Sequence, residues 1–212
     1  MRYAEGRIIV FAKAPVPGKV KTRLTGKLSA QQAAALHQQL VSRTLDMVTQ
    51  SGLADVELWC APDESHPFFQ QCRQRFPIAL FKQRGDDLGE RMFNAMSDSL
   101  TRADYCLIVG TDCPQLTPHH LEEALQQLKA GRDCIITPAL DGGYVMLGLR
   151  RIDPRLFSGI RWGGDSVFSS TIERLKQLGW QWRQQTPLAD IDRPEDIHLL
   201  DHIELPPLLV KP

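Results

Sequence analysis

The sequence has no excess of charge of either sign: its twenty-five basic residues balance twenty-five acidic ones. With no net field to draw it to a nucleic-acid polymer or an anionic membrane surface, neither is an expected partner, and a local basic cluster means more than the total. Apolar runs of about eighteen residues are missing too, which excludes a spanning helix. After Met1 the apolar character is broken by Glu5, Gly6 and Arg7, so no secretory leader is expected. The five cysteines (60, 72, 106, 113 and 134) are widely spaced, and none forms a Cys-x-x-Cys pair. This predicts buried thiols in a reducing cytoplasm and no zinc framework. Internal repeats and Gly/Ser linkers are absent, so residues 1–212 are expected to form one domain. Its 42% hydrophobic and 24% charged content is enough for a soluble core without staples.

What is present is an alternation of short apolar runs and amphipathic stretches. Residues 7–13, 56–60, 78–82, 105–110, 133–137, 144–149 and 180–185 read as strands. Ser29 and Gln32 have capping-box spacing and predict a helix from 29 to 49, stopped by Gly52. Further helices are expected over 67–76, along the face made by Leu88, Met92, Ala95, Met96 and Leu100, after Thr117-Pro118, and over 166–178. Asp192 and Glu195 have the spacing of a capping box for a short last helix. Such alternation implies an α/β fold with a mostly parallel sheet, which binds ligands beyond the carboxyl ends of its strands.

Three loops lie there. Lys13-Ala-Pro-Val-Pro-Gly-Lys-Val-Lys-Thr-Arg23 carries four cations in eleven residues, and Gly18 permits close backbone approach. Lysine point charges and an arginine fork suit diphosphate oxygens, although a solvated basic loop has the same composition. The Walker and dinucleotide glycine patterns both fail in this segment. Asp112, at the end of an apolar run and beside Pro114, suits a magnesium ion bridging nucleotide phosphates, or an Asx turn. Asp190 and Asp192 form a second acidic motif that could share the metal, although Asp192 also fits a helix cap. Asp141-Gly142-Gly143 is a hairpin signal that also lets a substrate lie against the backbone while Asp141 accepts from hydroxyls. The Arg84–Arg91 segment, with Asp87 and Gly89, can face a base and ribose. Trp162-Gly163-Gly164-Asp165 offers an aromatic for a sugar ring or for the core. His119-His120 lacks metal-ligand spacing and receives no role.

Taken in order, Phe11-Ala12-Lys13 through Leu24, Gly110-Thr-Asp-Cys-Pro114, Asp141-Gly-Gly-Tyr144 and Asp190-Ile-Asp-Arg-Pro-Glu-Asp196 resemble the signatures of a bacterial glycosyltransferase-type family. That family was long carried as a domain of unknown function, and some members are assigned to arsenosugar biosynthesis. The resemblance implies a glycosyltransferase-A fold, the three-layer α/β/α arrangement of the nucleotide-diphospho-sugar transferases, with a mixed, mostly parallel sheet and Mg2+ or Mn2+ as cofactor. It matches Lys19, Lys21 and Arg23 to a phosphate-contacting loop, with Ala12, Lys13 and Gly18 expected on the nucleotide beside them, and Asp112 with Asp190 or Asp192 to the metal. An Asp-x-Asp motif would need an acid at Gly110, so the pattern is nearer the Asp-x-Pro form of nucleotidyltransferases.

Two chemistries follow. In the first, a sugar passes from a nucleoside-diphosphate sugar to a small acceptor, with Asp112, Lys21 and Arg23 at the reacting centre and Asp165 as the candidate base. In the second, a phosphorylated acceptor attacks a nucleoside triphosphate. A catalytically silent nucleotide-binding module is the third expectation.

Overall fold

Seven strands join in one sheet in the computed structural model, which describes residues 1–201 and 203–210. They are β1 (Gly6–Lys13), β2 (Asp55–Ala61), β3 (Ile78–Lys82), β4 (Tyr105–Val109), β5 (Cys134–Pro138), β6 (Tyr144–Leu149) and β7 (Trp182–Gln184). The spatial order is β3-β2-β1-β4-β6-β5-β7, and every pairing is parallel except those of β6 with β4 and β5. The expected α/β class and mixed, mostly parallel sheet are thus observed.

Five helices cover the sheet: α1 (Ala30–Gln50), α2 (Pro67–Arg75), α3 (Leu88–Leu100), α4 (Pro118–Lys129) and α5 (Val167–Gln177). The alternation along β1 decides which side each helix covers. Ile8, Val10 and Ala12 join Val41, Leu45, Phe68, Phe69, Leu121 and Leu125 in one core, whereas Ile9 packs with Met92, Met96, Leu147 and Leu175 in the other. Helices α1, α2 and α4 therefore form one outer layer and α3 and α5 the opposite one. Burying a Leu or Ile side chain completely is worth about 2 kcal/mol, so these two cores hold the layers together.

Ser29 and Gln32 cap α1 reciprocally, with Gln32 N–H donating to Ser29 Oγ at 3.2 Å and Ser29 N–H to Gln32 Oε1 at 2.8 Å. A charged residue inside the second core is fully satisfied. The buried Glu57 carboxylate accepts from Trp59 Nε1 at 3.0 Å, Ser99 Oγ at 2.6 Å and Arg102 Nη2 at 2.9 Å, joining β2 to α3. All five cysteines are buried and free. Among the described residues no helix is long and apolar enough to cross a membrane.

Two expectations need correction. The strand expected over 180–185 is confined to Trp182–Gln184, because β7 is an edge strand paired only with β5. The last segment, Pro194–Leu200, is a 3-10 helix capped at Arg193 rather than Asp192. There Asp196 accepts the backbone N–H groups of both Asp192 (3.0 Å) and Arg193 (2.7 Å), which leaves the Asp192 carboxylate free for another partner.

Candidate active site

The carboxyl ends of β1, β4 and β5 lie at one edge of the sheet, and the strand-end loops gather there. The antiparallel β6 begins at the same edge, so the 139–143 hairpin tip joins them. Ala139 N–H donates to the Gly143 carbonyl at 3.1 Å, and Asp141 Oδ1 accepts from Gly143 N–H at 2.9 Å, the Asx geometry of a tight turn.

The basic loop leaves β1 at Lys13 and turns at Gly18, whose φ of 76° requires the left-handed region. Lys21 adopts that region too, at φ 50°, the one non-glycine residue with positive φ among the described residues. Holding a lysine there costs about 1 kcal/mol or more, so its surroundings must fix it. They do: its ammonium donates to the Ile191 carbonyl and lies 2.9 Å from Asp112 Oδ2, with only 3% of the side chain exposed. Ile191 N–H in turn donates to the Asp112 carbonyl at 2.9 Å, so Lys21, Asp112 and Ile191 bind three loops together. Arg23 closes the same seam from outside by pairing with Asp192 at 2.5 Å.

Asp112 has two unlike edges. The side chain is 44% exposed, yet Oδ1 is closed off and has no hydrogen-bond partner. Enclosure pushes this carboxyl up, but the charge of Lys21, with His37 behind it and the Lys21 and Thr111 hydrogen bonds, holds it below the usual range. Asp190 goes the other way. Burial, then the negative charges of Asp141 and Asp112, push it up to about 6. Asp190 therefore feels both other carboxylates, and Lys21, which pairs with Asp112, offsets them only in part.

Two cavities flank this centre. The first, of about 370 Å3, is lined by Ala12, Lys13, Lys19, Lys21 and Arg23, with Asp112 and Asp192 across from them. The second, of about 380 Å3, has an apolar floor of Phe11, Met92, Tyr144, Val145 and Val167 under a rim of Asp112, Asp141, Asp190 and Asp192. Phe11, Arg23, Leu88, Gly110, Asp112 and Asp192 belong to both.

Gly18, Asp87, Gly89 and Gly142 lie outside these walls, whereas Trp162 and Gly143 line the second cavity. Asp87 is the N-cap of α3, accepting from Glu90 N–H at 2.8 Å. A Cβ at Gly89 would meet the Trp162 indole at 2.4 Å, so this glycine makes room for that ring. Trp162 is half-buried against it and edge-on to Tyr144 at 6.5 Å. Gly142 lies against the Asp165 backbone, and a Cβ on Gly18 would touch nothing. His119 and His120 sit in the first turn of α4, where His120 serves the Thr117 cap.

Sequence reasoning missed His37 and Gln83, both buried and both lining the first cavity. His37 Nε2 pairs with the Lys13 carbonyl at 3.0 Å, and Gln83 Nε2 donates to the carbonyls of Trp59 (2.8 Å) and Ala12 (3.3 Å). A lone His on an amphipathic helix and a Gln one residue past a strand carry no signal without the fold.

Comparison with known proteins fits this architecture. A crystal structure from Desulfovibrio desulfuricans G20, of a protein named provisionally as a nucleotide-diphospho-sugar transferase, is 32% identical with a TM-score of 0.85, over 94% of this chain and 87% of that one. A nucleotidyl transfer enzyme from Methanothermobacter thermautotroptrophicus shares the fold at 12% identity and TM-score 0.61, over 93% and 96% of the two chains. So does CMP:2-keto-3-deoxy-manno-octonic acid synthetase complexed with CTP, at 15% identity and TM-score 0.58, over 93% and 97%. No curated protein matches. The fold is thus that of the nucleotide-diphospho-sugar transferases. Since residues 44–164 match the family model described as "Uncharacterized protein conserved in bacteria", DUF2064, the chain belongs to that bacterial family.

Proposed function

We propose that this chain is a transferase using a nucleotide donor, with a nucleoside-diphosphate sugar as donor and a small molecule as acceptor. One observation carries the reading. Lys13, Lys19, Lys21 and Arg23 converge, at the carboxyl edge of the sheet, on a cavity of about 370 Å3 that Asp112 faces. Cations placed before the reaction begins stabilise a leaving diphosphate without reorganising in the transition state. Lys19 and Arg23, both on the exposed side of the loop, take its oxygens as point charge and fork. Asp141, at the hairpin tip, accepts hydrogen bonds from the hydroxyls of the group transferred. Asp165, one loop further out, is the candidate base for the acceptor hydroxyl.

The donors present fit a divalent ion held jointly with a nucleotide, and not by protein alone. Among the described residues there is no group of three or more His, Cys, Asp or Glu side chains able to hold an ion. Asp112 Oδ1, enclosed and unpartnered, is nevertheless a carboxylate oxygen without a protein partner, and Asp190 lines the second cavity with it. Magnesium commonly takes one or two carboxylates and completes its shell with substrate phosphates and water. Bound there, it would neutralise charge on the leaving diphosphate. Asp192, held by Arg23, is the poorer of the two later acids for that role.

A second reading rests on Gly110, which leaves Asp112 without an acid two residues before it. In it, an acceptor phosphate oxygen bonds to the donor α-phosphorus while the α–β bridging bond breaks, releasing pyrophosphate. The deciding measurement is thermal stability with nucleoside diphosphates, triphosphates and diphospho-sugars, each with and without magnesium, since a native-state ligand raises stability by about 2.7 kcal/mol at a hundred times its Kd. Selective stabilisation by a diphospho-sugar supports sugar transfer, and by a triphosphate alone nucleotidyl transfer. A magnesium-independent response points to a silent binding module, and no response to any nucleotide refutes all three.

A further inference from the structure

Beyond the acidic rim lies a third cavity, of about 450 Å3, and the proposed chemistry uses neither of the two arginines at its outer end, Arg161 and Arg193. Its walls are Arg23, Asp141, the 161–166 loop and Arg193. Arg23 lines all three cavities, and Trp162, Gly163 and Gly164 join the second to the third, so the cleft is continuous.

The backbone of this end is anchored. At Gly142 a Cβ would meet the Asp165 carbonyl oxygen at 2.1 Å, and Phe168 N–H donates to the Gly142 carbonyl at 2.8 Å, so the loop sits on the hairpin tip. Trp162 fixes the same loop from the other side, over Gly89. Arg193 is held through its backbone N–H by Asp196. Arg161 and Arg193 therefore line one cavity from anchored backbone. Arg84, Arg102 and Arg155 each have a carboxylate partner, and so does Arg23. Among the described residues Arg161 and Arg193 form no ion pair, although Asp141 and Asp165 line the same cavity.

We propose that Arg161 and Arg193 form an anion site for the second substrate, which is thereby a hydroxyl-bearing compound carrying a phosphate or a carboxylate. Two planar forks match the oxygens of such a group, and Asp165 accepts from its hydroxyl. Calling this ligand the acceptor rests on the transferase reading; the anion site itself does not.

The test titrates inorganic phosphate, glycerate and 3-phosphoglycerate calorimetrically into the wild type and the Arg161→Ala/Arg193→Ala double variant. Each protein is used with and without a saturating nucleoside diphosphate, which fills the basic loop. Both side chains are exposed, so the variant is expected to fold, and an unchanged Tm checks this. The double variant should bind at least one probe tenfold more weakly than the wild type, in both forms, with nucleotide affinity within twofold. Preference for phosphate and 3-phosphoglycerate over glycerate identifies a phosphorylated ligand, and glycerate as tight as 3-phosphoglycerate a carboxylate. A wild type that binds none of the probes, or a double variant that binds them equally well, overturns the proposal. If no nucleotide binds either protein, the transferase reading fails while the nucleotide-free comparison still decides the anion site.

Discussion

Replacing Lys21 by methionine keeps most of the side chain's bulk and deletes its charge, which makes it the sharpest probe of the centre. The ammonium lies 2.9 Å from Asp112 Oδ2. At that separation and an effective dielectric constant of 20, the attraction is about 6 kcal/mol. Water reaches the open edge of Asp112, and desolvation of the buried lysine offsets much of the rest, so a net loss of about 2 kcal/mol is expected. For a chain of this size that lowers Tm by about 5 °C. The folded Asp112 pKa is depressed, so its contribution is full above the unfolded value near 3.8 and lost as pH falls through the folded one. The deficit of the variant should therefore be constant from pH 5 to 8 and shrink below pH 4. Calorimetry on a cycle with Asp112→Asn isolates the pair, with an expected coupling of about 1 kcal/mol or more. Additivity within about 0.3 kcal/mol would refute the claim that Lys21 is the counter-charge of Asp112.

Asp190 has the opposite sign: raised to about 6, it is protonated in the fold at pH 5 and ionised at pH 7. Nucleotide-dependent Mn2+ binding, followed by electron paramagnetic resonance, should strengthen over that interval, and Asp190→Asn should flatten the profile; an unchanged profile removes Asp190 from the metal. Gly89→Ala should displace the Trp162 indole, costing about 1–3 kcal/mol and shifting tryptophan emission to the red. Unaltered emission and stability would contradict that packing. Glu57→Ala strands Ser99, Trp59 and Arg102 together and should cost about 3 kcal/mol in urea unfolding. A loss below about 1 kcal/mol would show the network to be replaceable by water.

Period and punctuation made most of the fold legible. Capping pairs such as Ser29 with Gln32, the apolar runs, and Asp141-Gly142 between adjacent strands each determine structure within a few residues, so no distant contact is needed to read them. The last helix starts one residue later than the Asp192–Glu195 spacing implies, because tertiary contact intervenes: Arg23 claims Asp192, and Asp196 accepts the N–H of Arg193 at the cap. The site was legible as separate loops and not as an arrangement. That Lys21 would sit on Asp112 while Arg23 reaches Asp192 depends on how three loops meet at one edge. His37 and Gln83 were invisible for the same reason, since their chemistry is set by the carbonyls they face.

The reversal of β6 has a consequence for how such an enzyme diversifies. In an all-parallel sheet every loop at the binding edge leads into a crossover. Here the 139–143 tip is a hairpin between two central strands, tied to the outer 161–166 loop through Gly142. Apart from Gly142 and Trp162, residues can be exchanged within that pair of loops while the basic loop, Asp112 and both cores stay as they are. One end of the cleft can thus vary through evolution or design while the basic-loop end is inherited unchanged.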